Sequence, residues 1–191
     1  VMRVPIFPLN TVLCPGGPLP LRIFEPRYVD MISERMKAEA PFGVLLIRDG
    51  GEVGPSTTFE TGTLARITDW YQGSDGLLGV TAIGEQRFRL LSSERQPDGL
   101  NVGEIETLEA EPKTELPPEY SYLPDILNAV LDDLGKLYED LPRDMADATW
   151  LSYRFVEILP IDLEQKQQCL ESGDTQARLS LVAELIESVR Q

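Results

Sequence analysis

Residues 19–28, LPLRIFEPRY, join a predicted strand to a predicted helix. The apolar residues among 19–24 favour a strand. Pro26 suits the first turn of a helix, because the N–H that proline lacks would have no partner there. Apolar residues then recur at helical spacing, so the sequence predicts a helix over residues 26–39.

Short strands separated by turns are predicted around this stretch. They are expected at residues 4–9, 42–48, 63–71, 77–83, 86–92 and 100–108. Gly84 is predicted to break a strand, and residues 52–59 are predicted to be irregular. The loop at 72–76 contains Asp-Gly, which tolerates the positive φ of a tight hairpin. Many short strands with regular turn signals are typical of a barrel or a folded sheet.

The hydrophobic period lengthens to that of helices after residues 109–118, which are acidic and proline-rich and are predicted to be a linker or a crossing segment. Helices are expected at about 119–141, 145–158, 162–173 and 174–189. Asp162 and Gln165 have the spacing of a capping box. The sequence therefore predicts an α+β fold, with a β-rich pseudo-barrel subdomain containing one helix over residues 1–111. A helical subdomain of about four helices is predicted over residues 112–191.

The chain is strongly acidic. Its 191 residues contain 17 Lys and Arg against 32 Asp and Glu, which gives a net charge of −15. Nucleic acids and anionic membranes are bound largely by cationic side chains, so neither is an expected partner. No apolar run has the length of a membrane span and no signal peptide is visible, so a cytoplasmic protein is expected. Cys14 and Cys169 are expected to be free thiols, and the sequence assigns neither of them a role.

The sequence contains no histidine, and this excludes many catalytic and metal sites. Neither a Ser-His-Asp nor a Cys-His arrangement can form, and two cysteines are too few for the common zinc sites. The glycine-rich motifs that bind nucleotides do not occur either. We therefore predict no catalytic residue, no metal site and no cofactor. A carboxylate pair or a Ser–Lys dyad stays open as an alternative, because such pairs form between residues that are distant in sequence.

Several motifs, taken in order, resemble those of the amino-terminal substrate-binding domain of Lon proteases. They are PIFPL at 5–9, LPLRIFEPRY at 19–28, FGV at 42–44, GTLARI at 62–67, GEQRFRL at 84–90 and LPIDLEQKQ at 159–167. The ordered set extends over nearly the whole chain, which makes the resemblance specific.

The resemblance implies a non-catalytic module that binds exposed or unfolded segments of other proteins. In full-length Lon proteases an ATPase module and a protease module follow this domain, and the chain is expected to lack both, like small stand-alone bacterial relatives. Cereblon, a substrate receptor of a ubiquitin ligase, carries a similar domain. Expected partners are unfolded or extended protein segments, with a protease or a chaperone as a further candidate. A scaffold or regulatory subunit of one fixed partner and a carboxylate-dependent enzyme are the alternatives.

Three candidate peptide-binding residues lie at the strand-to-helix corner. Glu25, Arg27 and Tyr28 are predicted to line a groove. The alternative is structural: Arg27 pairs with a carboxylate to fix the corner, while Phe24 packs in the core.

Two further candidates, Trp70 and Tyr71, lie at a strand end beside the Asp-Gly hairpin. Large rigid rings at such a place can anchor a peptide at low entropic cost. Ordinary packing is the alternative for both rings. The run PGGP at 15–18 is either an adaptable binding loop or a simple turn.

Overall fold

The chain forms two compact units in the computed structural model, which describes residues 1–54 and 56–190. The first unit is Val1–Glu109 and the second is Ala110–Gln191. Among the described residues, the first unit contains seven strands and one α-helix, and the second contains four α-helices. The predicted α+β class is confirmed.

The strand-rich unit contains the predicted helix and strands, with β4 in addition and with the two strands predicted at 77–83 and 86–92 joined into one. It consists of β1 Met2–Leu9, β2 Pro18–Ile23, α1 Pro26–Ala38, β3 Phe42–Gly50, β4 Ser56–Thr58, β5 Thr61–Gln72, β6 Leu78–Arg95 and β7 Asn101–Thr107. Helix α1 begins at Pro26, as its missing N–H predicts, and ends where Glu39 adopts a left-handed conformation with φ of 50°.

The sheet of this unit closes into a ring, which is the predicted pseudo-barrel. Strands β1, β7, β6, β5 and β3 are hydrogen-bonded in this order, and a parallel pairing of β1 with β3 returns to the start. Strand β2 pairs with β6, and β4 pairs with β3. One core cluster consists of Val4, Ile6, Leu45, Leu64, Phe88 and Ile105. A second cluster joins strand residues such as Phe7 and Phe42 to Tyr28, Met31 and Ile32 of α1.

Gly84 does not break its strand, so this prediction is wrong. A β-carbon at Gly84 would lie 2.2 Å from the carbonyl oxygen of Cys14, so the glycine permits close approach of a neighbouring turn inside a continuous β6. The N–H of Gly16 donates to the Gly84 oxygen and the N–H of Gly84 donates to the Gly17 oxygen, both at 2.8 Å. Residues 15–18 are therefore a turn packed on β6.

The segment at residues 52–59 also differs from its prediction. Residues 56–58 form the short strand β4, which pairs with β3 with a register shift between Ile47 and Asp49. The hydroxyl of Thr57 donates to Oδ2 of Asp49 at 3.2 Å across this pairing. Pro55 lies outside the described residues.

The helical unit consists of α2 Leu123–Leu134, α3 Ala148–Ile158, α4 Leu163–Ser172 and α5 Thr175–Arg190, with 3-10 turns at Pro118–Tyr120 and Gly135–Leu137. The predicted capping box is confirmed. The N–H of Gln165 donates to Oδ1 of Asp162 at 2.8 Å, and the N–H of Asp162 donates to Oε1 of Gln165 at 3.2 Å. The first predicted helix is too long, because Gly135 adopts a φ of 58° and ends α2 after Leu134.

Residues 109–118 are not a solvated linker along their whole length. The Glu111 side chain is only 9% exposed and forms an ion pair with Arg178 at 2.8 Å. It also accepts hydrogen bonds from the hydroxyl groups of Tyr153 and Thr175. This part of the chain therefore packs on the helical unit, as the alternative of a crossing segment predicts.

Candidate functional site

An apolar groove lies on the strand-rich unit where β2 leads into α1. Its volume is about 470 Å³, and its walls come from the end of β2, one face of α1 and the hairpin of β5 and β6. Phe24, Val29, Met36, Trp70 and Leu78 are among its apolar lining residues. The volume and the apolar lining are those of a typical ligand-binding site. We call it the Phe24–Trp70 groove.

Two aromatic side chains of this groove are left in solvent. Phe24 is 62% exposed and Trp70 is 55% exposed. Phe24 directly follows the last residue of β2, the buried Ile23, and both residues line the groove. Burying such a side chain stabilises a fold by roughly 1.5–3 kcal/mol, and much of that gain is not realised here. Exposed apolar groups gathered at one groove are typical of an interaction site.

The groove continues along α1 into a second, more polar part. This part has a volume of about 520 Å³, and Met36 and Trp70 line both parts. Arg35, Arg66 and Asp69 are among the other residues of the second part. A ligand that occupies both parts would meet apolar surface near Trp70 and charged side chains further along.

Of the two aromatic candidates on β5, only Trp70 lines the groove. Tyr71 is 54% exposed, but its ring covers Gly79 of β6, where a β-carbon would lie 2.3 Å from the ring. Tyr71 and Gly79 are direct cross-strand partners. Packing therefore accounts for Tyr71, and peptide contact by either aromatic residue stays a prediction.

Arg27 and Tyr28 hold the strand-to-helix corner together. Nε of Arg27 donates to Oε2 of Glu25 at 2.8 Å, and the guanidinium lies 4.6 Å from the centre of the Tyr28 ring. Tyr28 is 4% exposed and stacks on Phe7 with ring centres 4.0 Å apart, and burial raises the pKa of Tyr28 above its ordinary value. The expectation that Arg27 pairs with a carboxylate is confirmed. The expectation that Phe24 packs in the core is wrong.

The corner residues line smaller pockets beside the main groove. Glu25 and Tyr28 contribute to one of about 240 Å³ next to Phe24, and Arg27 and Tyr28 contribute to another of about 160 Å³. Peptide binding by these three residues stays a prediction. Sequence reasoning missed Phe24 and Met36 as groove residues.

The described residues contain neither a metal-binding cluster nor a membrane-spanning helix. Within 1–54 and 56–190, no group of three or more Asp, Glu or Cys side chains is placed to hold a metal ion. In the same ranges no helix is both long and apolar enough to cross a membrane. The thiols of Cys14 and Cys169 are buried, and burial raises the pKa of the Cys169 thiol.

The model of one protein family, the substrate-binding domain of ATP-dependent protease La (LON), matches residues 3–188. The chain belongs to this family. The Lon protease of Anaeromyxobacter dehalogenans is 26% identical to this Lon-family domain in an alignment that covers 98% of this chain. Protein cereblon of Danio rerio is 31% identical in an alignment that covers 75% of this chain. The chain spans 23% of the length of that Lon protease and 31% of the length of that cereblon.

Solved structures agree with this assignment. The Lon N-terminal domain protein from Xanthomonas campestris matches this Lon-family domain with a TM-score of 0.79 at 33% identity, covering 96% of this chain and 98% of that one. The N-terminal domain of a Mycobacterium avium complex Lon protease has the same fold, with a TM-score of 0.65 at 16% identity. The resemblance inferred from the sequence motifs is confirmed.

Proposed function

We propose that this Lon-family domain binds exposed or unfolded segments of other proteins in the Phe24–Trp70 groove. The observation that supports this function is the exposure of two large aromatic side chains on one apolar groove. The description of the family as a substrate-binding domain of a protease agrees with a protein ligand. In this proposal the domain itself holds the segment without chemical turnover.

Apolar contact suits ligands of varied sequence. The hydrophobic effect is non-directional and depends mainly on the area removed from water, so a groove of this kind selects exposed apolar side chains rather than one motif. Such side chains are buried in folded proteins and become accessible on unfolding. A protease or a chaperone that receives the bound segment is the further partner we propose, in a bacterial cytoplasm.

The test uses the fluorescence of Trp70. The sequence contains two tryptophans, so a Trp150→Phe variant leaves Trp70 as the only one. Titration with a reduced and alkylated protein that cannot refold is expected to shift the emission to shorter wavelengths and to saturate, because the exposed ring leaves water. A Phe24→Ser substitution in this background is expected to weaken binding by about tenfold or more, as for an anchor residue.

Tyr71→Ser is the matched control, because Tyr71 is an aromatic residue of similar exposure that packs outside the groove. We expect Tyr71→Ser to weaken binding less than Phe24→Ser does. The proposal fails if the folded protein shows no saturable shift, or if Phe24→Ser and Tyr71→Ser weaken binding equally.

A further inference from the structure

The second half of β5 is paired on one side only. Strand β6 pairs with β5 from Thr61 to Gln72, with register shifts between Thr63 and Ala65 and between Ile67 and Asp69, whereas β3 pairs only with residues 63–65. The pairing with β3 stops at Phe42, and the preceding Pro41 has no N–H to continue it. In the part of the chain that the structure describes, no strand other than β6 pairs with residues 66–72.

On this open edge, the backbone N–H of Trp70 has a side-chain hydrogen-bond acceptor. Its N–H donates to Oδ1 of Asp69 at 2.8 Å, a side chain of the same strand. Backbone groups of successive residues in a strand point to opposite sides, so the N–H of Gln72 faces the same way as that of Trp70. Two donors on the open edge are thus within reach of an added strand.

Strand β2, the other outer strand of this region, is a poor partner for an added strand. Strand β2 pairs with the opposite side of β6 and has the sequence PLPLRI, with Pro18 and Pro20 at alternate positions. Proline supplies no N–H, so alternate positions on this strand lack the donors that a further strand needs. Strand β5, in contrast, contains no proline between Thr61 and Gln72.

The open edge and the Phe24–Trp70 groove are contiguous. Trp70 and Gln72 line the groove from β5, and Met36 lines it from α1. A strand added to residues 66–72 would extend for about 23 Å, and alternate side chains would enter the groove. Among the described residues, Lys37 is the ionisable residue that lines the apolar part of the groove, so like-charge repulsion disfavours a basic side chain in that part.

We infer that the bound segment is an extended strand of another protein, added to the open edge of β5 at residues 66–72 with apolar, non-basic side chains in the groove. This inference rests on the proposed function and specifies how the ligand is held. Main-chain hydrogen bonds form with any sequence that can extend, and the groove adds a requirement only at alternate positions. Both properties fit a ligand class defined by unfolding rather than by a motif.

The test compares N-methylated peptides, which leave the protein unchanged. The probe is a capped peptide of about nine residues in which valine and threonine alternate, titrated into the Trp150→Phe protein with Trp70 fluorescence as the readout. Only alternate N–H groups of an added strand face β5. One peptide is methylated at two valine nitrogens and a second peptide at two threonine nitrogens. The peptide whose methylated nitrogens face β5 is expected to lose about tenfold or more in affinity, and the other peptide less than about twofold.

The inference is wrong if the two methylated peptides have equal affinity, whether both of them bind or neither of them binds. If the unmodified peptide does not bind while the unfolded protein of the preceding test does, strand addition is wrong and the proposed function survives. If neither binds, both are wrong. A dimer that the peptide disperses, detected by sedimentation, would assign the edge to a second copy of this chain and also overturn the inference.

Discussion

The two units differ in where they place large aromatic and charged side chains. The strand-rich unit leaves Phe24 and Trp70 more than half exposed, whereas the helical unit buries Arg154 and Arg178 almost completely. Each buried guanidinium forms an ion pair with a carboxylate of the same unit. The charges in the helical unit are thus compensated within the fold, as buried charges must be.

The exposed aromatic residues have no such compensation within their own unit. Burial in the core would stabilise the fold, yet Phe24 directly follows β2, Trp70 lies near the end of β5, and both rings are exposed. The proposed function explains their position by a ligand that covers them, whereas the ion pairs of the fold explain the position of the buried arginines. Substitutions of the exposed aromatic residues are therefore expected to change ligand affinity, and substitutions of the buried arginines are expected to change stability.

Removal of a buried charge partner should have the largest effect on stability. Arg178→Met leaves the Glu111 carboxylate buried without its cation, and we expect a loss of about 3–5 kcal/mol in the free energy of unfolding. Urea denaturation followed by Trp150 fluorescence in a Trp70→Phe background reports on the helical unit, because Trp150 lies on α3.

The double variant Arg178→Met with Glu111→Gln is the control, since it removes both charges together. We expect it to recover a large part of the lost stability. A single variant as stable as the parent protein would show that the pair is not a structural element of the helical unit.

Overpacking at Gly84 should have the next largest effect, this time in the strand-rich unit. Gly84→Ala places a methyl group against the Cys14 carbonyl, and we expect a loss of about 1–3 kcal/mol. Gly76→Ala is a useful comparison because no atom lies within 4 Å of its added methyl group, although its φ of 80° costs some strain. Denaturation midpoints by circular dichroism check both, and an equal loss would contradict the close approach.

Ionisation of Tyr28 should destabilise the strand-rich unit only in alkali. Burial raises the pKa of Tyr28, so the folded unit holds the phenolic proton more tightly than the unfolded chain does. The stability contributed by the neutral ring is complete below about pH 10 and is lost as the pH rises through the raised pKa. Tyr28→Phe should therefore lose less stability than the parent protein between pH 8 and pH 11, measured by urea denaturation.

Trp70→Ala should have the smallest effect on stability. The side chain is 55% exposed at a strand end, and surface substitutions usually change the free energy of unfolding by about 0.5 kcal/mol or less. Thermal denaturation of this variant is expected to match that of the parent protein. A loss of several degrees in Tm would assign Trp70 a packing role and weaken the contrast between the two units.

Local rules explain what the sequence could predict. Pro26 at the start of α1 and the pair of Asp162 and Gln165 act within one turn of a helix, and the structure places them as expected. The partner of Arg27 was also within reach, because Glu25 lies two residues away.

The features that sequence reasoning missed depend on distant contacts. Gly84 is required by a turn at Cys14, and Glu111 accepts a hydrogen bond from Tyr153, which lies 42 residues away. No periodicity in the acidic stretch indicates that one of its carboxylates is buried. The groove could not be predicted without knowing how α1 lies beside β5. From the sequence alone, Met36 could not be distinguished from the core residues of a helix.

The most direct test of the account measures the affinity of a Phe24→Ser, Trp70→Ala double variant for a permanently unfolded protein by calorimetry. The account predicts that the variant unfolds at the same denaturant concentration as the parent protein and loses about a hundredfold or more in affinity. An unchanged affinity in the folded variant would show that the groove is not where this domain holds its ligand.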